Sequence, residues 1–161
     1  MVELRRIGPD DWPLWREVRL AALAEAPHAF SSTLEEWRGK GDTEVRWRSR
    51  LEAVPFNLLA VITGSGVGQV SGTALDANGE VELISLWVAP QVRGEGIGGA
   101  LIDGVATWAG EQDAAAVVLS VKRGNPAAIA AYERAGFVPV GPAGAPDEIR
   151  MRRPLPPTVP A

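Results

Sequence analysis

The 161-residue chain predicts an α/β fold, with six or seven strands in a mixed sheet flanked by about four helices. Three observations carry this. Phe56 to Thr63 and Gly68 to Leu75 are apolar, strand-like runs joined by the tight turn Gly64-Ser65-Gly66, which makes a hairpin. Glu80 to Val88, a helical stretch from about Gly98 to Gly110, and Ala116 to Val121 form strand, helix and strand, a unit whose strands run parallel with a right-handed crossover. Alternating apolar and charged residues at Val2 to Ile7 and Glu148 to Arg153 supply strands near the two ends of the chain.

The remaining elements follow in order. Gly8-Pro9 breaks the first strand before Asp10 or Asp11 caps a helix. That helix carries Trp12, Trp15, Val18, Arg19, Ala22 and Leu23 at three- and four-residue steps, so it buries one face and Trp12 and Trp15 belong to the core. Pro27 ends it. Thr33 to Ala53 is one long or two short helices, interrupted near Gly39 and Gly41, with Leu34, Trp37, Val45, Trp47 and Leu51 as apolar contacts. Asp76-Ala77-Asn78-Gly79 is the strongest turn signal in the chain. It introduces Glu80 to Val88, whose continuous apolar stretch predicts burial on both faces near the sheet centre. Asn125 caps a later helix with Pro126 at its first position, where the missing N–H costs nothing, and Gly136 terminates it after Ala135. Residues 1–153 read as a single domain, and residues 154–161 as a disordered tail.

Composition removes several chemistries. There is no cysteine, which excludes disulfides, zinc-thiolate sites and cysteine nucleophiles. His28 is the only histidine, so no His-His metal pair exists and no metal site is expected; in its Ala/Pro-flanked loop it reads as an ordinary loop residue. The net charge is −4 and the basic residues are scattered, which argues against binding nucleic acid. The densest basic run, Arg46, Arg48 and Arg50, reads as a solvated helix face. No apolar run approaches the roughly 20 residues needed to span a bilayer, so no membrane association is expected and the protein reads as soluble and cytoplasmic.

The chemistry gathers at Gln91-Val92-Arg93-Gly94-Glu95-Gly96-Ile97-Gly98-Gly99, a bend that follows an apolar strand and opens a helix. Four glycines within six positions leave backbone N–H groups unshielded, and the positive end of the following helix points the same way. An anion is expected to dock there. Gly94-x-Gly96-x-x-Gly99 also satisfies a dinucleotide fingerprint, but Pro90 to Arg93 intervene, several strands precede it, and the next strand ends in Ser120-Val121-Lys122-Arg123 without the ribose-binding acid. A P-loop is excluded because no Lys-Ser/Thr follows the glycines.

At these residues the chain resembles the GCN5-related N-acetyltransferases, which transfer an acetyl group from acetyl-CoA to an amine. Gln91-x-x-Gly94-x-Gly96 is similar to that family's pyrophosphate signature and follows a strand Glu82-Leu83-Ile84-Ser85-Leu86-Trp87-Val88 of the family's type. Asn125-x-x-Ala128-x-x-x-Tyr132-x-x-x-Gly136-Phe137 matches its second signature. The likeness spans roughly Val2 to Arg153 and is specific from Glu80 to Phe137. It implies a mostly antiparallel sheet with a central splayed strand–helix–strand unit, and acetyl-CoA as cosubstrate.

The resemblance also implies roles. Backbone N–H groups from Val92 to Gly99 would hold the two phosphates of CoA, with Arg93 adding charge. The pantetheine arm would lie along the edge at Leu86, Trp87 and Val88, where the N–H of Val88 would polarise the thioester carbonyl. Asn125 and Ala128 would flank that arm or fix the splayed strands, and Tyr132 would protonate the departing thiolate. An amine with a pKa near 10 must lose a proton before it attacks. Glu82 is the expected base, with Glu80 or water as alternatives. Without cysteine, direct attack in a ternary complex is favoured over an acyl-enzyme.

The acceptor would be a small-molecule or peptide amine, held by the first helix, the loop after it and the loop between the last strands. Glu25, Glu35, Glu36 and Asp147 would suit a cationic amine there or serve as surface charge, and Phe30 and Trp37 would line the cleft or pack in the core. A catalytically silent acyl-CoA-binding or sensor domain is the alternative reading, a nucleotide-dependent oxidoreductase a more distant one, and a homodimer stays open.

Overall fold

A computed structural model describes residues 1–27, 29–30 and 32–157; the expectation for His28 and the end of the proposed tail, 158–161, lie outside the described residues. In chain order the elements are β1 (Glu3–Arg6), α1 (Trp12–Glu25), α2 (Leu34–Trp37), α3 (Glu44–Ala53), β2 (Phe56–Ile62), β3 (Ser65–Gly72), β4 (Glu80–Val88), α4 (Ile97–Glu111), β5 (Ala116–Lys122), α5 (Pro126–Arg134), β6 (Val138–Pro142) and β7 (Glu148–Pro154). The seven strands form one sheet in the order β1-β2-β3-β4-β5-β7-β6. Only β4 and β5 pair in parallel. A dinucleotide fold requires a doubly wound parallel sheet, so this topology removes the oxidoreductase reading.

Local chemistry explains most boundaries and a few departures. The hairpin turns on Thr63 and Gly64, with φ of +50° and +81°, so β3 begins at Ser65 rather than after Gly66. Asp76 accepts from the N–H groups of Asn78 and Glu80, and Gly79 takes φ +74°, which seats the turn before β4. Asp11 stands at the N-cap of α1 as expected but makes no side-chain cap bond; its carboxylate reaches back to the N–H of Gly8 at 2.9 Å and closes a 3-10 turn at Pro9–Asp11. Two prolines and a glycine hide β6 from sequence patterning, and as an edge strand it tolerates them. β7 extends through Pro154, and the N–H of Leu155 donates to the Ala115 carbonyl at 2.9 Å.

Helices cover both faces of the sheet. α4 lays Leu101, Ile102, Val105 and Trp108 against β2, β3 and β4, and full burial of each aliphatic contributes about 1.5–3 kcal/mol. It approaches so closely that a Cβ at Gly104 would stand 2.6 Å from Leu58 Cδ2. On the other face, α1 buries Trp15, Val18, Arg19, Ala22 and Leu23, and α3 buries Trp47 and Leu51. Trp12 is only partly buried at the margin of this core. Among the described residues, no helix is long and apolar enough to cross a membrane.

The arginine run of α3 departs from expectation. Alternate positions fan around a helix, so the three side chains diverge. Arg48 pairs with Glu44 and Asp10 at the surface, and Arg46 lies over the Trp37 ring. Arg50 turns inward instead: it donates to Asn57, Ser71 and Ser85 and lies 4.9 Å over the Trp15 ring. Its neighbours Trp47 and Leu51 define the buried stripe, and Arg50 is one turn from the first.

Asp42, just before α3, ties the helical face together. It accepts from Arg16 Nε at 2.7 Å and from Trp47 Nε1 at 2.8 Å. Those donors lower its pKa from the usual carboxylate range to about 2, the Arg16 hydrogen bond first and Trp47 next. Because the folded pKa lies below the unfolded one, this stabilisation is complete above roughly pH 4 and fades as pH falls toward 2. Asp42→Asn is expected to lower Tm by roughly 2–6 °C at pH 7, and the difference should shrink by pH 2.5 in thermal melts.

Candidate active site

The site begins where the sheet splits. β4 and β5 pair only at Glu80 with Ala116, Val81 with Val117 and Glu82 with Val118. Beyond Glu82, β4 stays with β3 through Val88 opposite Gly68, while β5 stays with β7 through Lys122 opposite Glu148. The two strands therefore part and leave an open edge on β4. This corrects the expectation that β4 is buried on both faces: Val81, Leu83 and Trp87 are buried, whereas Glu82, Ile84, Leu86 and Val88 are half-exposed on the split. A cleft of about 1280 Å³ fills the gap, larger than a drug-sized ligand site needs and roomy enough for two substrates.

A bulge re-aims β4 midway. Gln69 pairs with Trp87 but Ser71 pairs with Ile84, so Ser85 and Leu86 together oppose one residue of β3. Ser85 takes φ +62°, a left-handed conformation costing a non-glycine residue roughly 1–2 kcal/mol. Past the bulge, the N–H of Ala89 points to β3 and donates to the Val67 carbonyl at 2.8 Å. Strand alternation then turns the N–H of Val88 to the opposite side, the open edge.

The glycine bend closes one end. Gly94 and Gly96 have φ of +82° and +85°, and Gly96 is the N-cap of the fifteen-residue helix α4. A Cβ at Gly94, Gly96 or Gly99 would meet no protein atom within 4 Å, so the corner in front of the helix is free of side chains. Ala100 makes the first helical bond, to Gly96, which leaves the N–H groups of Ile97, Gly98 and Gly99 without intrahelical acceptors. The expectation that donors run from Val92 onward needs correcting. The N–H groups of Val92 and Arg93 already donate to Ala89 and Pro90 within a 3-10 turn.

Arg93 is also engaged. Its Nη2 meets Glu25 at 2.8 Å and its Nε donates to the Val88 carbonyl at 3.0 Å. Glu25 accepts from Trp87 Nε1 as well, at 3.1 Å, so the end of α1 clasps the end of β4 to the bend. Sequence reading missed this clasp because Glu25 and Arg93 are 68 positions apart and neither lies in a pattern.

Across the cleft, Asn125 caps α5 by accepting from the N–H of Ala128 at 3.2 Å. Tyr132 lies two turns further along, its ring edge-on to Phe137 with centroids 5.7 Å apart, and it lines the cleft. Burial raises its phenol pKa above the ordinary value, so the hydroxyl keeps its proton at neutral pH. Glu82, Leu86, Trp87, Val88, Val92, Arg93, Gly94, Gly96, Ile97, Gly98, Gly99, Asn125 and Ala128 line the same cleft. Gln91 and Glu95 do not; both are exposed on the outer side of the bend.

Glu82 and Glu80 separate cleanly. Glu80 is held by Arg152 Nε at 2.8 Å and lies outside the cleft lining, so it is committed to the sheet. Glu82 lines the cleft, and its backbone N–H and carbonyl are both fixed by Thr73 at 2.9 and 3.0 Å. Among the described residues its carboxylate forms no ion pair.

The acceptor end differs from expectation. Of the four acids considered for it, only Glu25 reaches the cleft, already bound to Arg93 and Trp87. Glu35 and Glu36 are exposed on α2, and Asp147 pairs with Lys122 at 3.5 Å. Phe30 lines the cleft, whereas Trp37 packs on Trp47 with centroids 4.5 Å apart. What faces this end is cationic: Arg19 and Arg50. Burial lowers each guanidinium to about 10, and Arg50's like charge adds to the shift of Arg19, yet both stay protonated at neutral pH.

A side-chain-free helix start, a split between parallel strands and a tyrosine that lines the split meet in one cleft. The model of the GNAT acetyltransferase family matches residues 15–137, and the chain belongs to that family. Solved structures share the fold. PaiA N-acetyltransferase from Thermoplasma acidophilum, in complex with coenzyme A, is 17% identical with a TM-score of 0.77 over 96% of this chain and 99% of that one. YncA from Salmonella typhimurium, with its cofactor acetyl-CoA, is 17% identical with a TM-score of 0.74 over 100% of this chain and 98% of its own. Nourseothricin acetyltransferase is 29% identical with a TM-score of 0.57 over 63% and 65%. No curated protein matches the chain.

Proposed function

We propose that the protein transfers an acetyl group from acetyl-CoA to the primary amine of a small molecule or peptide by direct attack in a ternary complex. The observation that carries this is the split after Glu82, which joins the open β4 edge, the glycine corner and Tyr132 in one cleft. Acetyl-CoA fits the residues present. Its diphosphate needs several unshielded donors, and the N–H groups of Ile97, Gly98 and Gly99 supply them, each charge-assisted bond contributing about 1.5–3 kcal/mol. Bound there, it supplies an activated thioester.

The chain's own groups then divide the work. Glu82 takes a proton from the incoming ammonium, directly or through water, and frees the nitrogen lone pair. The N–H of Val88 donates to the thioester oxygen as negative charge develops on it. As the C–N bond forms and the C–S bond breaks, Tyr132 delivers its proton to the leaving sulfur, and the second proton shed by the acylated nitrogen returns through water to the phenolate. Both side chains face the cleft, which supports these assignments.

Thiol release from acetyl-CoA across polyamines, aminoglycosides, amino acids and peptide N-termini tests the reading. CoA binding without release for any amine would leave a silent acyl-CoA sensor. Glu82→Gln should lower kcat/KM roughly 100-fold at pH 7, where nearly all the amine is protonated, and only a few-fold near pH 9.5, where free amine is plentiful. A parallel pH profile would transfer the proton to water.

A further inference from the structure

The acceptor end of the cleft holds two cations, Arg19 buried and Arg50 partly buried, that no acidic side chain among the described residues pairs with. Arg19, on α1, is 7% exposed, and its Nη1 has no hydrogen-bond partner among the described residues. Its guanidinium lies 4.7 Å over the Phe30 ring. Arg50 is anchored only by neutral oxygens, those of Asn57, Ser71 and Ser85. Among the described residues neither arginine takes part in an ion pair; burial first and the like charge of Arg50 next make the charge on Arg19 harder to hold. Burying the Arg19 guanidinium without an anion is unfavourable, and a second cation lining the same cleft makes it more so. Such an arrangement persists when its counter-charge arrives with a ligand.

Sheet register aligns these cations with the reacting end. Asn57 pairs with Ser71, and Ser71 with Ile84, so all three share one face. Glu82, two residues before Ile84, shares it too. Arg50 reaches that same face, and Arg19, Arg50, Ser85 and Glu82 all line the one cleft. A ligand there would present its amine toward Glu82 and the open edge of β4, and its far end to the guanidiniums.

We infer that the acceptor is an amine that also carries an anionic oxygen group, a carboxylate above all, bound by Arg19 and Arg50. A planar guanidinium fork matches two carboxylate oxygens, and the unpartnered Nη1 of Arg19 is the donor left for them. The inference rests on the acetyl-transfer reading and narrows its acceptor from amines in general to amino acids and their kin. It also departs from the reading of Glu25, Glu35, Glu36 and Asp147 as partners for a cationic amine, since a polyamine would bring further positive charge beside Arg19 and Arg50.

Matched acceptors test it. L-amino acids, their carboxamides and 1-aminoalkylphosphonates are compared by thiol release from acetyl-CoA. The carboxamides carry the less basic amine and hold more of it free at neutral pH, so chemistry alone favours them. We expect the acids to exceed their amides at least tenfold in kcat/KM. The Arg19→Gln variant should lose roughly 30-fold on the acid, mainly through KM, and much less on its amide, so that the preference for the acid collapses. Preference for phosphonates over acids would keep the anion but change its geometry to tetrahedral. Because Arg50→Gln also strips three structural hydrogen bonds, Arg50→Lys serves as its partner variant.

A second readout needs no turnover: calorimetry of N-acetyl-amino acids against their N-acetyl amides on CoA-saturated protein. Tighter binding of the acids, lost in Arg19→Gln, supports the inference even if no thiol is released, an outcome that would overturn only acetyl transfer. Equal or better use of amides, or equal binding of both acetylated forms, overturns the inference and leaves acetyl transfer standing.

Discussion

Gly96→Val is expected to weaken CoA binding at least 100-fold while leaving the fold intact. Two effects combine. Gly96 sits at φ +85°, where a β-branched residue is strained, so the bend would swing toward negative φ and turn the first N–H groups of α4 off their common target. Its Cβ would also stand in open space on the cleft lining, where the proposed diphosphate site lies. Loss of two charge-assisted bonds corresponds to about 3 kcal/mol or more, which is two decades of affinity. The protein itself loses no contact, because a Cβ at this position meets no atom within 4 Å. Calorimetry with CoA, beside a thermal melt, separates the two. Gly104→Ala supplies the contrast: its Cβ would meet Leu58 Cδ2 at 2.6 Å, so it should lower Tm and leave the CoA affinity of the folded fraction unchanged. Unaltered CoA affinity in Gly96→Val would remove the bend from cofactor binding.

The bend was readable because its chemistry is written locally. Glycines at fixed spacing and a following helix are a property of neighbouring residues, as are the Asn125 cap and the Asp76 turn. The cleft's polar walls were harder to read. Whether Arg50 faces solvent or the sheet depends on helix rotation, which one alternating stretch of arginines does not specify; only the positions of Trp47 and Leu51 relative to it do. The roles of Glu80 and Glu82 diverge for a similar reason. Both lie on one strand face, but Arg152, 72 positions from Glu80, claims the first and the split of the sheet exposes the second. The half-open face of β4 follows from that split as well. An apolar run signals burial, and only the divergence of β5 shows that one face borders a cavity instead.

Tyr132→Phe is expected to lower kcat about 100-fold with CoA affinity unchanged. The substitution deletes one hydroxyl and keeps the ring, so its edge-on packing against Phe137 remains and the helix that carries it is undisturbed. The lost group matters at one moment only. A thiolate leaving into a partly apolar cleft lacks the water that would stabilise it, and a proton delivered there speeds its departure by the roughly 10²–10⁴-fold typical of general acids. Burial is what keeps that proton available. A tyrosine in water begins to lose it near pH 10, whereas the raised pKa of Tyr132 moves any falling limb of the kcat profile to higher pH. The wild-type rate should therefore rise or hold through pH 10 as the amine deprotonates, and the variant should follow a parallel curve two decades below. Single-turnover thiol release measures the step without interference from product departure. Wild-type turnover in Tyr132→Phe would mean that sulfur leaves unprotonated. A descending limb below pH 9 in the wild-type enzyme would show that the phenol is more solvated than its contacts with the cleft wall imply.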